Sequence, residues 1–299
     1  MLKNILLILM ILMIIKDWNF RMNKFSIEEN LKKIPLVIKT VKYNIISDMH
    51  IKHENVKYGE DIKQYYRIYN SENNEKPIIF FIHGGGWWHG SPKMCTCIGK
   101  YFAKLGYTVV LPAYRLAPLH KYPKQINDIY SAFSNYIKEN KEYRDRKFII
   151  MGFSAGGELA ANIVFNKEMQ KKYKIDSSIF KSLITFSGVL NFETCISKHS
   201  KRLIKNYLGE DTNIDNVNPI NLIKEDVVIP VLCIHGERDL LINKENTISF
   251  IDKINSISSI KGVGKVEIIK GKNHSDINEL IMGNGEKNSK KILDFIDRL

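Results

Sequence analysis

Short, mostly apolar runs recur along the chain at 78–82, 108–111, 148–151, 183–186, 231–234 and 266–269, rich in Val, Ile and Phe. Such runs read as strands buried on both faces, the signature of a parallel sheet. Between them, at 93–105, 126–140, 157–173, 245–258 and 287–299, apolar residues fall at helical spacing. Strands alternating with helices predict an α/β fold, with a mostly parallel central sheet flanked by helices on both faces. Two further stretches, 38–46 and 63–69, read as antiparallel strands at one sheet edge. In such a sheet ligands bind beyond the carboxyl ends of the strands, so chemistry is sought in the loops that follow them.

After 148–151 comes Gly152-Phe153-Ser154-Ala155-Gly156, a G-x-S-x-G between a strand and a helix. That context predicts a nucleophile elbow. The glycines let strand and helix approach, and Ser154 is pushed into a strained turn with its hydroxyl exposed at the helix N-terminus. A serine hydroxyl needs a base, and the base needs an orienting carboxylate. In this architecture they follow in the order Ser, then Asp or Glu, then His. Of the eight histidines only His199, His235 and His274 come after Ser154. His274 stands in GKNHSD, where a loop is expected after the last strand. Asp239 stands in CIHGERDLLI, just past the preceding strand, with His274 alone among the histidines downstream. Asp211, Asp226, Glu237 and Asp252 are rival acids, but none sits both just past a strong strand and in such a motif. Ser154, Asp239 and His274 are therefore expected as nucleophile, acid and base.

The first parallel strand runs into FIHGGGWWHG at 81–90. Acyl transfer develops negative charge on a carbonyl oxygen, and backbone N–H groups must already face it. Gly84, Gly85 and Gly86 can turn the main chain that way without a Cβ in the path of a substrate, and the Ala155 N–H completes an oxyanion hole. His83 precedes the serine and reads as structural. A zinc site with His89 lacks a third ligand. Trp87 and Trp88 are expected either in the core or at the pocket wall, there as substrate contacts.

Composition adds bounds. The chain has 299 residues, 44% hydrophobic and 26% charged, ordinary for a globular protein with a sizeable core. No Gly/Pro/Ser-rich linker divides it, so 22–299 reads as a single domain. The formal charge of +13 is spread along the chain and mixed with acids. With no zinc-finger spacing, RNP-like pattern or basic helix, nucleic acid is not an expected partner. Cys95, Cys97, Cys195 and Cys233 are too few for a disulfide scaffold and read as thiols. Residues 5–15, ILLILMILMII, form an apolar run shorter than the roughly 20 residues of a spanning helix. For 1–21 three readings stand: an uncleaved signal anchor, a segment packed on the body, or a mis-called start with Met22 opening the chain. Localisation is cytoplasmic, or membrane-associated if 5–15 acts as an anchor. The oligomeric state is not read from the sequence.

Taken in order, HGGGWWHG, AYRLAPLHKYP at 113–123, GFSAGGELAA, HGERDLLI and NHSD resemble the hormone-sensitive-lipase-like carboxylesterases of the α/β-hydrolase superfamily, over roughly 75–299. The resemblance implies the α/β-hydrolase fold and an esterase for short acyl esters, with no metal or organic cofactor. It carries over Ser154, Asp239 and His274, and the oxyanion donors at Gly84, Gly85, Gly86 and Ala155. It also implies a small helical cap, from pieces near 22–50 and 192–219. Two departures bear on substrate. Phe153 stands where many members have Asp, and HGERD stands where many have D-P-L-x-D. Both lean toward acetyl-esterase, formamidase and peptidase-like branches, so an amidase, formamidase or peptidase on the same triad is the alternative. A non-catalytic binding protein on the fold is a third reading.

Overall fold

The computed structural model describes residues 51–71, 75–140, 146–210, 212–281 and 287–299. The apolar run at 5–15, the strand expected at 38–46 and the cap piece near 22–50 lie outside the described residues. Among them, no helix is long and apolar enough to cross a membrane.

Among the described residues, eight strands form one sheet in the order β1-β2-β4-β3-β5-β6-β7-β8. They are β1 (Glu54–Lys57), β2 (Tyr65–Tyr69), β3 (Ile78–Ile82), β4 (Val109–Pro112), β5 (Phe148–Phe153), β6 (Phe180–Phe186), β7 (Val231–Gly236) and β8 (Gly264–Ile269). β1 and β2 pair antiparallel at one edge, β2 joins β4 antiparallel, and every later pairing is parallel. The helices are α1 (Thr96–Lys104), α2 (Lys124–Glu139), α3 (Ala155–Phe165), α4 (Lys167–Tyr173), α5 (Lys198–Leu208), α6 (Glu245–Ile257), α7 (His274–Ile281) and α8 (Lys287–Ile296).

Side chains alternate across the central strands, as a pleat requires. Ile78, Phe80 and Ile82 join a core with residues of α2, α3 and α6, whereas Ile79 and Phe81 join a second core with residues of α1, α7 and α8. The sheet is thus covered on both faces, which is why its central strands carry apolar residues at nearly every position. β1 is different: its burial pattern is mostly exposed, so it bears no apolar signature.

Two helices depart from the periodicity. The stretch 157–173 breaks into α3 and α4 because Asn166 adopts an extended backbone and its side chain accepts from the Met169 N–H (3.1 Å), capping α4. At 93–105 the first turn is a 3-10 helix, Pro92–Cys95, before α1 begins. The 192–219 segment contains α5 flanked by 3-10 turns at Phe192–Thr194 and Ile214–Asn216. None of the four cysteines is in a disulfide.

A buried ion pair ties the edge hairpin to the body. Asp128 on α2 accepts from Arg115 Nε (2.9 Å), Nη2 (2.6 Å) and backbone N–H (2.9 Å), and from Gln64 Nε2 (2.9 Å) beside β2. Asp128 is 1% exposed, so removing it leaves several donors facing a space that water does not reach. Asp128→Ala should lower the unfolding free energy by about 3 kcal/mol, seen as a shift in urea midpoint.

Candidate active site

The carboxyl ends of the parallel strands gather four segments: the glycine loop after β3, Ser154 after β5, Asp239 after β7 and His274 after β8.

Ser154 has φ 55° and ψ −121°, a conformation few non-glycine residues adopt. Its N–H donates to the Phe186 carbonyl (2.9 Å), and its own carbonyl accepts from Gly157 N–H (2.8 Å) and Val189 N–H (3.2 Å). Gly152 and Gly156 meet across the turn: a Cβ on Gly152 would overlap the Gly156 carbonyl, and one on Gly156 the Ile82 carbonyl.

His274 Nε2 lies 2.9 Å from Ser154 Oγ, and its Nδ1 lies 2.6 Å from Asp239 Oδ2. A carboxylate only accepts, so Nδ1 carries the proton and Nε2 is left to accept from the serine hydroxyl. The sequence reading put His274 in a loop; it is instead the first residue of α7. The helix starts here because Asn273 Oδ1 accepts from Ser275 N–H (2.9 Å) and Asp276 N–H (3.1 Å), while Asp276 Oδ2 accepts from Asn273 N–H (3.0 Å). That reciprocal cap fixes the imidazole on a rigid element, and the NHSD motif was its signal.

Asp239 sits in a tight turn, its Oδ1 accepting from Leu241 N–H (3.0 Å) and Ile242 N–H (2.9 Å). Its Oδ2 receives a second imidazole, His235 Nε2, at 3.3 Å. His235 is fully buried, with Nε2 also 2.9 Å from the Ile242 carbonyl and Nδ1 2.7 Å from Thr247 Oγ1. The carbonyl fixes the proton on Nε2, so His235 is a donor to the carboxylate. Sequence reasoning used His235 only to locate the strand end and missed this contact. Burial works to raise the Asp239 carboxyl, but the His274 charge and the hydrogen bonds from His235 and His274 outweigh it. The group is held well below the usual carboxylate range.

A cavity of about 170 Å³ opens at Ser154. Gly84, Gly85, Gly86 and Ala155 line it, with Phe153, Val189, Leu203, Ile204 and Leu241 giving it an apolar wall. Among the described residues, the N–H groups of Gly85, Gly86 and Ala155 make no backbone hydrogen bond. Gly85 has φ 121°, and a Cβ there would overlap the His89 carbonyl oxygen, so the loop's shape depends on glycine. Leu203 and Ile204 come from α5, within the segment expected as cap.

Trp87 and Trp88 both border the cavity, but differently. Trp88 is half-buried; Trp87 is 1% exposed, its indole stacked on Tyr207 (4.4 Å between centroids, 2° between planes). Its Nε1–H donates to Glu158 Oε2 (3.0 Å), which also accepts from the Tyr207 hydroxyl (3.3 Å). Burial pushes the Glu158 carboxyl up to about 8, opposed by those two hydrogen bonds. Tyr114 and Tyr122 are its other titratable neighbours. His83 is structural in its contacts: its ring stacks on Tyr114 at 4.3 Å, and its Nδ1 donates to the Gly84 carbonyl (2.8 Å). Burial pushes it down to about 4. Among the described residues, no group of three or more His, Cys, Asp or Glu is placed to hold a metal ion.

The BD-FAE family model matches residues 66–254. Esterase LipC of Mycobacterium tuberculosis is 26% identical over 68% of this chain and 55% of its own length. Mouse arylacetamide deacetylase is 33% identical over 35% of this chain and 29% of its own. The chain thus spans between 29% and 55% of these two relatives. Among solved structures, phosphonate-inhibited Esterase B of Lactobacillus rhamnosis superposes with a TM-score of 0.73 at 18% identity, over 90% of this chain and 93% of that one. The fold is that of the α/β-hydrolases, as the sequence motifs led us to expect.

The raised carboxyl has a measurable consequence. A Glu held above its ordinary value favours the neutral form in the fold. Its contribution is complete below the unfolded value and is lost as pH rises through the folded one. Wild type should therefore lose stability relative to Glu158→Gln between pH roughly 4.5 and 8. In urea melts the gap between the two should widen from pH 5 to pH 8.

Proposed function

The chain belongs to the BD-FAE family, and on that footing we propose that it is a serine hydrolase that cleaves short-chain carboxylic esters. The observation that carries this reading is the continuous hydrogen-bond chain from Ser154 Oγ through His274 to Asp239. In the proposed reaction Ser154 Oγ attacks the ester carbonyl as His274 Nε2 takes its proton. Asp239 holds the imidazole in the Nδ1–H tautomer and stabilises the imidazolium. The oxyanion is met by N–H groups from Gly84, Gly85, Gly86 and Ala155. His274 returns the proton to the departing alcohol, leaving an acyl-Ser154 that water opens by the same route. The cavity's small volume and apolar wall favour a short acyl chain. Segment 192–219 acts as a cap, since α5 supplies part of that wall.

An amide bond is the second reading, favoured by the arylacetamide deacetylase among the relatives. The same residues serve both, and the leaving group distinguishes them.

Hydrolysis of p-nitrophenyl esters from acetate to decanoate should peak at the shortest chains, and Ser154→Ala should lower kcat by about 10³-fold or more. Undiminished turnover by the variant would overturn the nucleophile. With matched acetyl ester and acetanilide substrates, an amide-to-ester rate ratio near one would move the assignment to an amidase.

A further inference from the structure

Helix α3 is buried along its whole length and built of small and apolar residues, yet its fourth position is Glu158. A carboxyl in such a place is destabilising unless it is held, and among the described residues only its Oε2 has hydrogen-bond partners. Those partners are Trp87, from the glycine loop, and Tyr207, from α5. Glu158 does not line the cavity, so its part is not chemical.

Its effect lies in the backbone of the loop. Gly85, Gly86 and Trp87 have φ of 121°, 59° and 61° in succession. Two of these are glycines and carry the conformation freely. Trp87 does not: a bulky side chain there is strained by about 1–3 kcal/mol and persists only where its surroundings over-determine it. The loop's own hydrogen bonds are long, Trp88 N–H and His89 N–H to the Gly85 carbonyl at 3.3 and 3.2 Å. Two holds come from outside the loop: the Trp87 carbonyl accepts from Ala117 N–H (2.8 Å), and the indole is stacked on Tyr207 and bonded to Glu158. Rotating Trp87 toward an ordinary φ would move the peptide between Gly86 and Trp87 and swing the indole away from both. The side chain thus fixes the main chain that precedes it, the stretch whose amides border the cavity.

We propose that Glu158 is a positioning residue for the oxyanion loop, holding Trp87, and through it Gly85 and Gly86, in the strained conformation that keeps their N–H groups ready for the transition state. The proposal rests on the serine ester hydrolase reading above. Support given to the transition state alone is expressed in kcat rather than in KM.

The test compares Glu158→Gln, Glu158→Ala, Trp87→Phe and the Glu158→Ala/Trp87→Phe double variant on p-nitrophenyl acetate, with thermal melts to confirm folding and Ser154→Ala as control. Losing one oxyanion donor outright costs about 10²–10³ in kcat, so a displaced loop should cost at least about tenfold. Glu158→Ala and Trp87→Phe should each lower kcat by that much with KM within about twofold. The double variant should fall no further than the worse single, because both break one contact. Glu158→Gln, whose amide oxygen still accepts from the indole, should keep most of the wild-type kcat. Additive losses, a loss carried in KM alone, or a folded Glu158→Ala with wild-type kcat would each overturn the positioning role. If turnover survives Ser154→Ala, the hydrolase reading fails and this one falls with it. If turnover depends on Ser154 but is indifferent to Glu158, only this proposal fails.

Discussion

At Ser154 the chain leaves a buried strand and begins a buried helix within a single residue, at φ 55°. That step is feasible only because Gly152 and Gly156 face one another without side chains, closing β5 onto α3 to backbone contact. The strain at the serine is of order 1–3 kcal/mol, about what burial of one large apolar side chain contributes. β5 lies between two cores with dozens of such side chains, and α3 is packed into one of them, so the scaffold holds the turn readily. Everything at the carboxyl edge of the sheet is placed relative to that turn.

Asp239 and His274 are held with similar rigidity. Asp239 meets four donors, two amides on one oxygen and two imidazoles on the other, at 2.6 to 3.3 Å. Its orientation needs no rearrangement to receive the His274 N–H. His274 is anchored by the reciprocal Asn273–Asp276 cap at the head of α7. Such preorganisation is where a site of this kind gains most, because the dipoles are aligned before charge develops.

Sequence legibility followed locality. The parallel strands were readable because burial on both faces writes itself as unbroken apolar runs, and G-x-S-x-G was readable because its chemistry and its turn occupy five consecutive residues. β1 was not, since Glu54–Lys57 is exposed at the edge and owes its strand to pairing with β2. The break at Asn166 yields to helical periodicity on paper and to a side-chain cap in the fold. The contact of His235 with Asp239 and that of Glu158 with Trp87 are tertiary facts. The second joins residues 71 positions apart, and only the oddity of an acid in an apolar helix hinted at it.

Tyr207 belongs to α5, the helix whose Leu203 and Ile204 wall the cavity. One helix therefore both walls the cavity and braces the indole behind the glycine loop.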